Sequence, residues 1–337
     1  MTKDLVNNQP SDAVLSQLVS TIVNGFHPTH ISQAIPLDTN AAFVTQGNTP
    51  SPRTVVAFTQ KVCDTIHNAG VGVLFRGTFC NMENIYSFPF LPSTGGGFVP
   101  QGTAASAPTD GSSTWLGRVY QYITTNPTFF QSGDIIAFFP EQTSYVFNGN
   151  TFLNQTGLQT NYVNFFSDLP TVCTAALTAV SVTGVHVGFT SNNYSEIASS
   201  WIGGSLFTNV GMTAVDYYGN YNGDGYAVSQ FATDLNNIIT STGQNLFYQE
   251  FADLWNAGIT PQQRIYYMDT FYRMLTSLGS GLFGVNYWGG WAGAQESVLY
   301  IDANGNFQLN GVGKLLAAYF NTDGLKALPV IDSNGNF

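Results

Sequence analysis

The sequence predicts an α/β protein, a (β/α)8 barrel whose first strand is weak or missing at the N-terminus. Three observations predict it. Apolar runs of strand length alternate with stretches of helical period along most of the chain. Such alternation implies parallel strands joined by right-handed crossovers. No GxGxxG or GxxxxGK(S/T) follows a strand, which argues against a nucleotide-binding open sheet. The strand ends carry instead Arg76, Glu141, Asn192, Tyr218, Glu250 and Trp288. Polar and aromatic groups gathered at successive carboxyl ends suit the reactive face of a barrel.

The elements follow in order. Ser11-Asp12 caps a helix with Val14, Leu15, Leu18, Val19, Ile22 and Val23 on one stripe. THISQAIPLD (29–38) reads as a short strand ending at Pro36. Ser51-Pro52 starts the next helix, by the N-cap and N1 preferences, with Val55, Val56, Thr59, Val62, Cys63 and Ile66 inward. Gly70 ends it, and GVGVLFRGTF (70–79) is a buried strand. Trp115, Leu116, Val119, Tyr120 and Ile123 form a helical face, interrupted at Asn126-Pro127. DIIAFFPEQ (134–142) is a strand. Tyr162, Phe165, Phe166 and Leu169 begin a helix that Pro170 kinks or restarts. VHVGFTS (185–191), a short helix near 195–202, and MTAVDYYG (212–219) come next.

Val228, Phe231, Leu235, Ile238 and Ile239 mark the helix ahead of NLFYQEF (245–251). Thr260-Pro261 opens a helix that runs to Leu278 and stops at Gly279. LFGVNYWGGW (282–291) is the last clear strand. A hairpin-like insertion near 298–309 turns at Asn304-Gly305, read as type I′, before a final helix with Val312, Leu315, Leu316 and Tyr319. That makes seven strands, so the first helix precedes strand two. Strand one is either KDLVN at the N-terminus or absent. The chain, 1–337, reads as a single domain, with long loops at 91–114 and 143–161 as candidate cleft walls.

Composition narrows the function. Charged residues make up 9% of the chain, against about 25% in ordinary globular domains. Nine Lys and Arg face twenty Asp and Glu, a net charge of -11. This is a poor match for nucleic acid or anionic membranes, and no run approaches the ~20 apolar residues of a membrane span. A neutral partner fits better. Cys63, Cys80 and Cys173 have no metal-ligand spacing and read as buried free thiols, with one disulfide as the alternative. Calcium at Asp302 or Asp332 is a minor alternative, and no metal or cofactor is expected. The N-terminus shows no signal peptide. The Lys-poor, Thr- and Asn-rich composition suits a secreted or cell-surface protein. Oligomeric state is not encoded in any pattern found.

Only five glutamates occur: Glu83, Glu141, Glu196, Glu250 and Glu296. Glu141 and Glu250 end the strongly apolar strands IIAFFPE and LFYQE, numbers four and seven. In a closed barrel these lie across the mouth from each other. Carboxylates about 5–5.5 Å apart there suit a retaining glycosidase. One attacks the anomeric carbon; the other donates to the leaving oxygen and later activates water. A structural pairing of Glu250 with Arg76 or Arg264 is the plainer alternative. Arg76 could also orient a substrate hydroxyl. Asn192, Asp216, His30 and Gln33 are further substrate-binding candidates, whereas His27 and His67 read as surface or helix-face residues. The aromatic content, 14%, suits stacking on pyranose faces.

From Thr29 to Phe320 the chain resembles clan A of the glycoside hydrolases, which includes the family 5 cellulases and mannanases. The resemblance implies acid/base and nucleophile roles for Glu141 and Glu250. It makes Tyr218 in VDYYG the hydroxyl that bonds the nucleophile, and Trp288 in VNYWGGW the floor of a sugar subsite. It implies an oligo- or polysaccharide substrate with β linkages. Three positions depart from the clan's pattern. Pro140 stands where Asn usually precedes the acid/base residue, Asp216 replaces a strand-six histidine, and Arg76 replaces a strand-three histidine. These departures keep open a non-catalytic carbohydrate-binding protein on the same scaffold. An unrelated hydrolase on an open sheet is the third alternative.

Overall fold

The computed structural model of the protein describes residues 9–33, 35, 37, 53–77, 100–139, 156–191, 213–216, 232–233, 235–237, 239–240, 243, 245–251, 273–287 and 298–322. Strands β1 (His30–Gln33), β2 (Gly72–Phe75), β3 (Ile135–Ile136) and β4 (His186–Val187) pair in that order, all parallel. Past Gly188 the chain continues as β5 (Phe189–Ser191), which leads to β6 (Thr213–Asp216), β7 (Leu246–Phe251) and β8 (Leu282–Tyr287), again parallel. β4 and β5 form one segment interrupted at Gly188, whose N–H donates to the Ile136 carbonyl at 2.8 Å. These are two four-stranded parallel sheets, each ordered as in the chain, and all seven predicted strands are present. No pairing joins β1 to β8 among the described residues. The predicted first strand, KDLVN, lies outside them.

Among the described residues, five helices of three turns or more flank the strands. α1 (Asp12–Phe26) starts where the Ser11 hydroxyl accepts from the Val14 N–H, and ends at His27 in the left-handed region. α2 (Val55–Asn68) is capped by Thr54, whose hydroxyl accepts from Ala57 N–H. The predicted start at Ser51-Pro52 is therefore too early: Thr54 supplies the same capping oxygen one residue before the apolar stripe. α3 (Trp115–Thr125) packs on α4 (Thr156–Ala179). α4 runs unbroken through Pro170 rather than restarting. Phe166, Leu169, Val172 and Cys173 are all buried around that proline, and apolar burial at roughly 25 cal/mol per Å² outweighs one missing hydrogen bond. α5 (Gly311–Thr322) packs against α1, so the first and last of the described helices are neighbours.

The hairpin is β9 (Leu299–Ile301) with β10 (Phe307–Leu309), antiparallel. It lies on α1, where Gln17 Nε2 donates to Asn306 Oδ1 at 2.8 Å. Its turn is not type I′. Among its residues only Gly305 has positive φ, at 82°, whereas type I′ needs two. The Gly305 N–H donates to the Asp302 carbonyl, and the Asp302 carboxylate accepts from Asn304 and Asn306 N–H. That carboxylate is committed to its own turn, and no metal-holding cluster occurs among the described residues. Two predicted loops are partly helical. Ala107–Asp110 is a helical turn, and α4 begins at Thr156.

The sheet has two faces. Val73, Phe75, Ile136 and Phe138 belong to the large core shared with the helices, alongside Leu18, Phe58, Val62, Leu116 and Phe165. Leu74, Ile135 and Ala137 form a separate small cluster on the other face, as strand alternation demands. Cys63 and Cys173 are free and buried; Cys80 lies outside the described residues.

Candidate functional site

Because the strands of each sheet are parallel and β4 runs on into β5, their carboxyl ends point the same way. The chain leaves these ends at Arg76 after β2, Phe139 after β3, Ser191 in β5, Asp216 in β6, Glu250 in β7 and Tyr287 in β8. Asn192, Tyr218, Trp288 and Glu141 follow these points within two residues, and lie outside the described residues. The backbones of Asp216 and Glu250 are placed, and they are register partners. β7 carries one more residue than its neighbours between Tyr248 and Phe251, a bulge against both β6 and β8. Bulges concentrate at barrel rims, where they re-aim side chains. This pairing of Asp216 with Glu250 was not legible from the sequence, since it depends on the register of two strands.

Arg76 is only 1% exposed. It is two residues beyond Leu74, so alternation puts it on the face turned away from the helices. Its N–H donates to the Gln33 carbonyl at 2.9 Å. Gly77 follows, where an added Cβ would meet the Ile35 carbonyl at 2.6 Å. The small residue lets two chain segments approach at this rim.

Gln33 and His30 do not join this arrangement. Gln33 pairs with Phe75 and shares the helix-side face with Ile31. Its Oε1 accepts from Ile35 N–H at 2.8 Å, so it fixes a turn. His30 opens β1, and its Nε2 meets the Gly133 carbonyl at 2.6 Å, at the amino end of the sheet. Strand direction puts it on the rim opposite the carboxyl ends.

The same rim holds a pair that the sequence did not reveal. The His67 side chain is 6% exposed, not on the surface, and its Nε2 lies 3.0 Å from Asp134 Oδ1. Asp134, fully buried, also accepts from Val73 N–H and Gln131 N–H, both at 2.7 Å. Its carbonyl accepts from His186 N–H. The carboxylate thus ties α2 and β2 to the segment ahead of β3, and the backbone carbonyl of the same residue adds β4. Cys63 nearby is buried, and burial, then the Asp134 charge, pushes its thiol well up. Burial also raises Cys173 and Tyr122.

Phe139 is the other surprise. Its φ is 58°, rare for a bulky residue. Extended backbone would put it on the Ala137 face. It lies instead in the helix-side core, edge-on to Phe165 at 5.1 Å. Its N–H donates to the Gly77 carbonyl at 3.1 Å. Two consecutive phenylalanines therefore bury on the same side, and the positive φ at Phe139 comes two residues before Glu141 in the sequence.

No family model matches this sequence, and no curated protein matches it. Solved structures do match. A GH5_18 protein from Streptomyces cattleya, solved in complex with Manβ1-4GlcNAc, is similar with a TM-score of 0.60 at 12% identity, over 98% of this chain and 80% of that one. The endo-β-1,4-mannanase from Thermotoga petrophila gives 0.58 at 11% identity, over 94% and 76%. A GH113 β-1,4-mannanase gives 0.53 at 11%, over 94% of both chains. At such identities the likeness is one of fold: the protein has the architecture of these glycoside hydrolases.

Proposed function

We propose that the protein is a retaining glycoside hydrolase that cleaves β-linked glycans, with Glu250 as nucleophile and Glu141 as acid/base. One observation carries the reading. β3 and β7 lie in two parallel sheets that the continuous β4–β5 segment links in chain order, and in each of these two strands the backbone departs from regular strand close to the proposed glutamate in sequence. The shared fold with mannanases and a β-glycosidase supports it.

In the first step a Glu250 carboxylate oxygen bonds to the anomeric carbon. The carbon–oxygen bond to the leaving group breaks, and Glu141 gives that oxygen its proton. Water then attacks the glycosyl ester, Glu141 takes the water's proton, and Glu250 leaves as carboxylate. The cycle balances without a metal or organic cofactor. Trp288 is proposed as the floor beneath the sugar, Tyr218 as donor to Glu250, and Asn192 and Asp216 as hydroxyl partners. Arg76, buried on the inner face, supplies positive charge at the same end. A polymeric glycan substrate goes with a secreted or cell-surface location.

Glu250→Ala and Glu141→Ala should each lose at least about 100-fold in hydrolysis of a β-glycan while keeping the wild-type circular dichroism. Azide should restore turnover of an activated aryl glycoside in Glu141→Ala. Retained hydrolysis in either variant refutes its assigned role. Pro140 and Asp216 favour a second reading, a carbohydrate-binding protein without turnover. Saturable glycan binding with no product released would establish it.

A further inference from the structure

The left-handed backbone at Phe139 has a job in this reading. We propose that Phe139 is a positioning residue for the acid/base carboxylate of Glu141, and the proposal rests on the hydrolase reading above. The residue before a proline is pushed toward extended backbone, and a bulky side chain disfavours positive φ. Phe139 carries both penalties, at φ 58° and directly ahead of Pro140. Such a conformation persists only where its surroundings over-determine it. Here two sets of contacts hold it. The ring is fully buried and stands edge-on to Phe165 of α4, itself edge-on to Phe166. The Phe139 N–H is held by the Gly77 carbonyl at the end of β2.

The consequence is directional. Ala137 faces the inner side of the sheet and Phe138 the helices. An extended residue 139 would return to the inner side. The left-handed backbone keeps its ring among the helices instead. Glu141 is the second residue past Phe139 in the sequence, and proline, which stands between them, has little backbone freedom. The ring of Phe139 is the anchor and its backbone the lever.

The test separates backbone from packing. Asparagine adopts the left-handed region readily, and valine resists it. A packing role ranks Phe139→Val above Phe139→Asn, because valine stays apolar. The positioning role ranks them the other way. Proton donation is worth roughly 100- to 10,000-fold to a poor leaving group and little to dinitrophenolate. We expect Phe139→Val to lose at least about 30-fold in kcat on an unactivated oligosaccharide. The dinitrophenyl glycoside of the same sugar should lose under about 3-fold, and Phe139→Asn should retain most activity on both. Phe165→Leu, which loosens the anchor without touching the backbone, should show the same selectivity more weakly, and serves if Phe139→Val does not fold. Equal losses on both substrates, or Phe139→Asn worse than Phe139→Val, overturns the proposal. So does wild-type selectivity in the Phe139 variants when Glu141→Gln silences the oligosaccharide, and then the hydrolase reading stands. If the wild-type protein hydrolyses no glycoside, that reading falls and the positioning role falls with it.

Discussion

Asp134→Ala probes what holds the amino end of the sheet. The wild-type carboxylate accepts two backbone N–H groups at 2.7 Å and the His67 ring at 3.0 Å, with no solvent exposure. Alanine leaves the Val73 and Gln131 amides and the ring nitrogen without that acceptor. Each orphaned buried donor costs about 1–3 kcal/mol. Partial relaxation brings the total to roughly 3–5 kcal/mol, a large share of the 5–15 kcal/mol typical of a folded protein. Unfolding entropy of about 2.1 cal/mol/K per residue scales to about 0.7 kcal/mol/K for this chain. The melting temperature should therefore fall by about 6 °C, read by calorimetry or circular dichroism. Asp134→Asn keeps one acceptor oxygen and should lose about half as much. The residue lies on the rim opposite the carboxyl ends, so kcat at 25 °C should stay within about 3-fold of wild type in both variants. A fall below about 2 °C in Asp134→Ala would refute the hub.

Two further outcomes follow from the same geometry. Cys63 and Cys173 should resist a thiol reagent at pH 8 in the native protein and react once it is unfolded in guanidinium, because burial raises both thiols and removes access; rapid native labelling of either would contradict this. The Asp302 carboxyl, held low chiefly by the Asn306 N–H and then by Asn304 N–H, should titrate below its ordinary 3.8 by NMR. A carboxyl lowered by folding stabilises above its unfolded value and loses that contribution as pH falls through the folded one. The hairpin should therefore loosen only below about pH 4, and Asp302→Asn should blunt that acid sensitivity.

Much of the fold was legible because it is written in local periodicity. The seven apolar runs and the stripe Leu15, Leu18, Val19 depend on neighbours within a turn or a strand. The face of Gln33 was legible, because it alternates in phase with Ile31. The rim of His30 was legible too, because it stands at the start of its run. Other features were out of reach. His67 and Asp134 are 67 positions apart and meet only in the folded chain. The β7 bulge beside Glu250 depends on register with two other strands. The turn at Phe139 runs against local preference, since its ring packing overrides the extended backbone that Pro140 favours.

The decisive measurement is a crystal structure of the protein with a 2-deoxy-2-fluoro glycoside, read for the Glu141 and Glu250 carboxyl positions. The account expects the sugar joined to Glu250 and the two groups about 5–5.5 Å apart on the inner face. A gap of about 6.5–9.5 Å with no covalent sugar would make the chemistry inverting. Either carboxyl on the helix side would end the proposal.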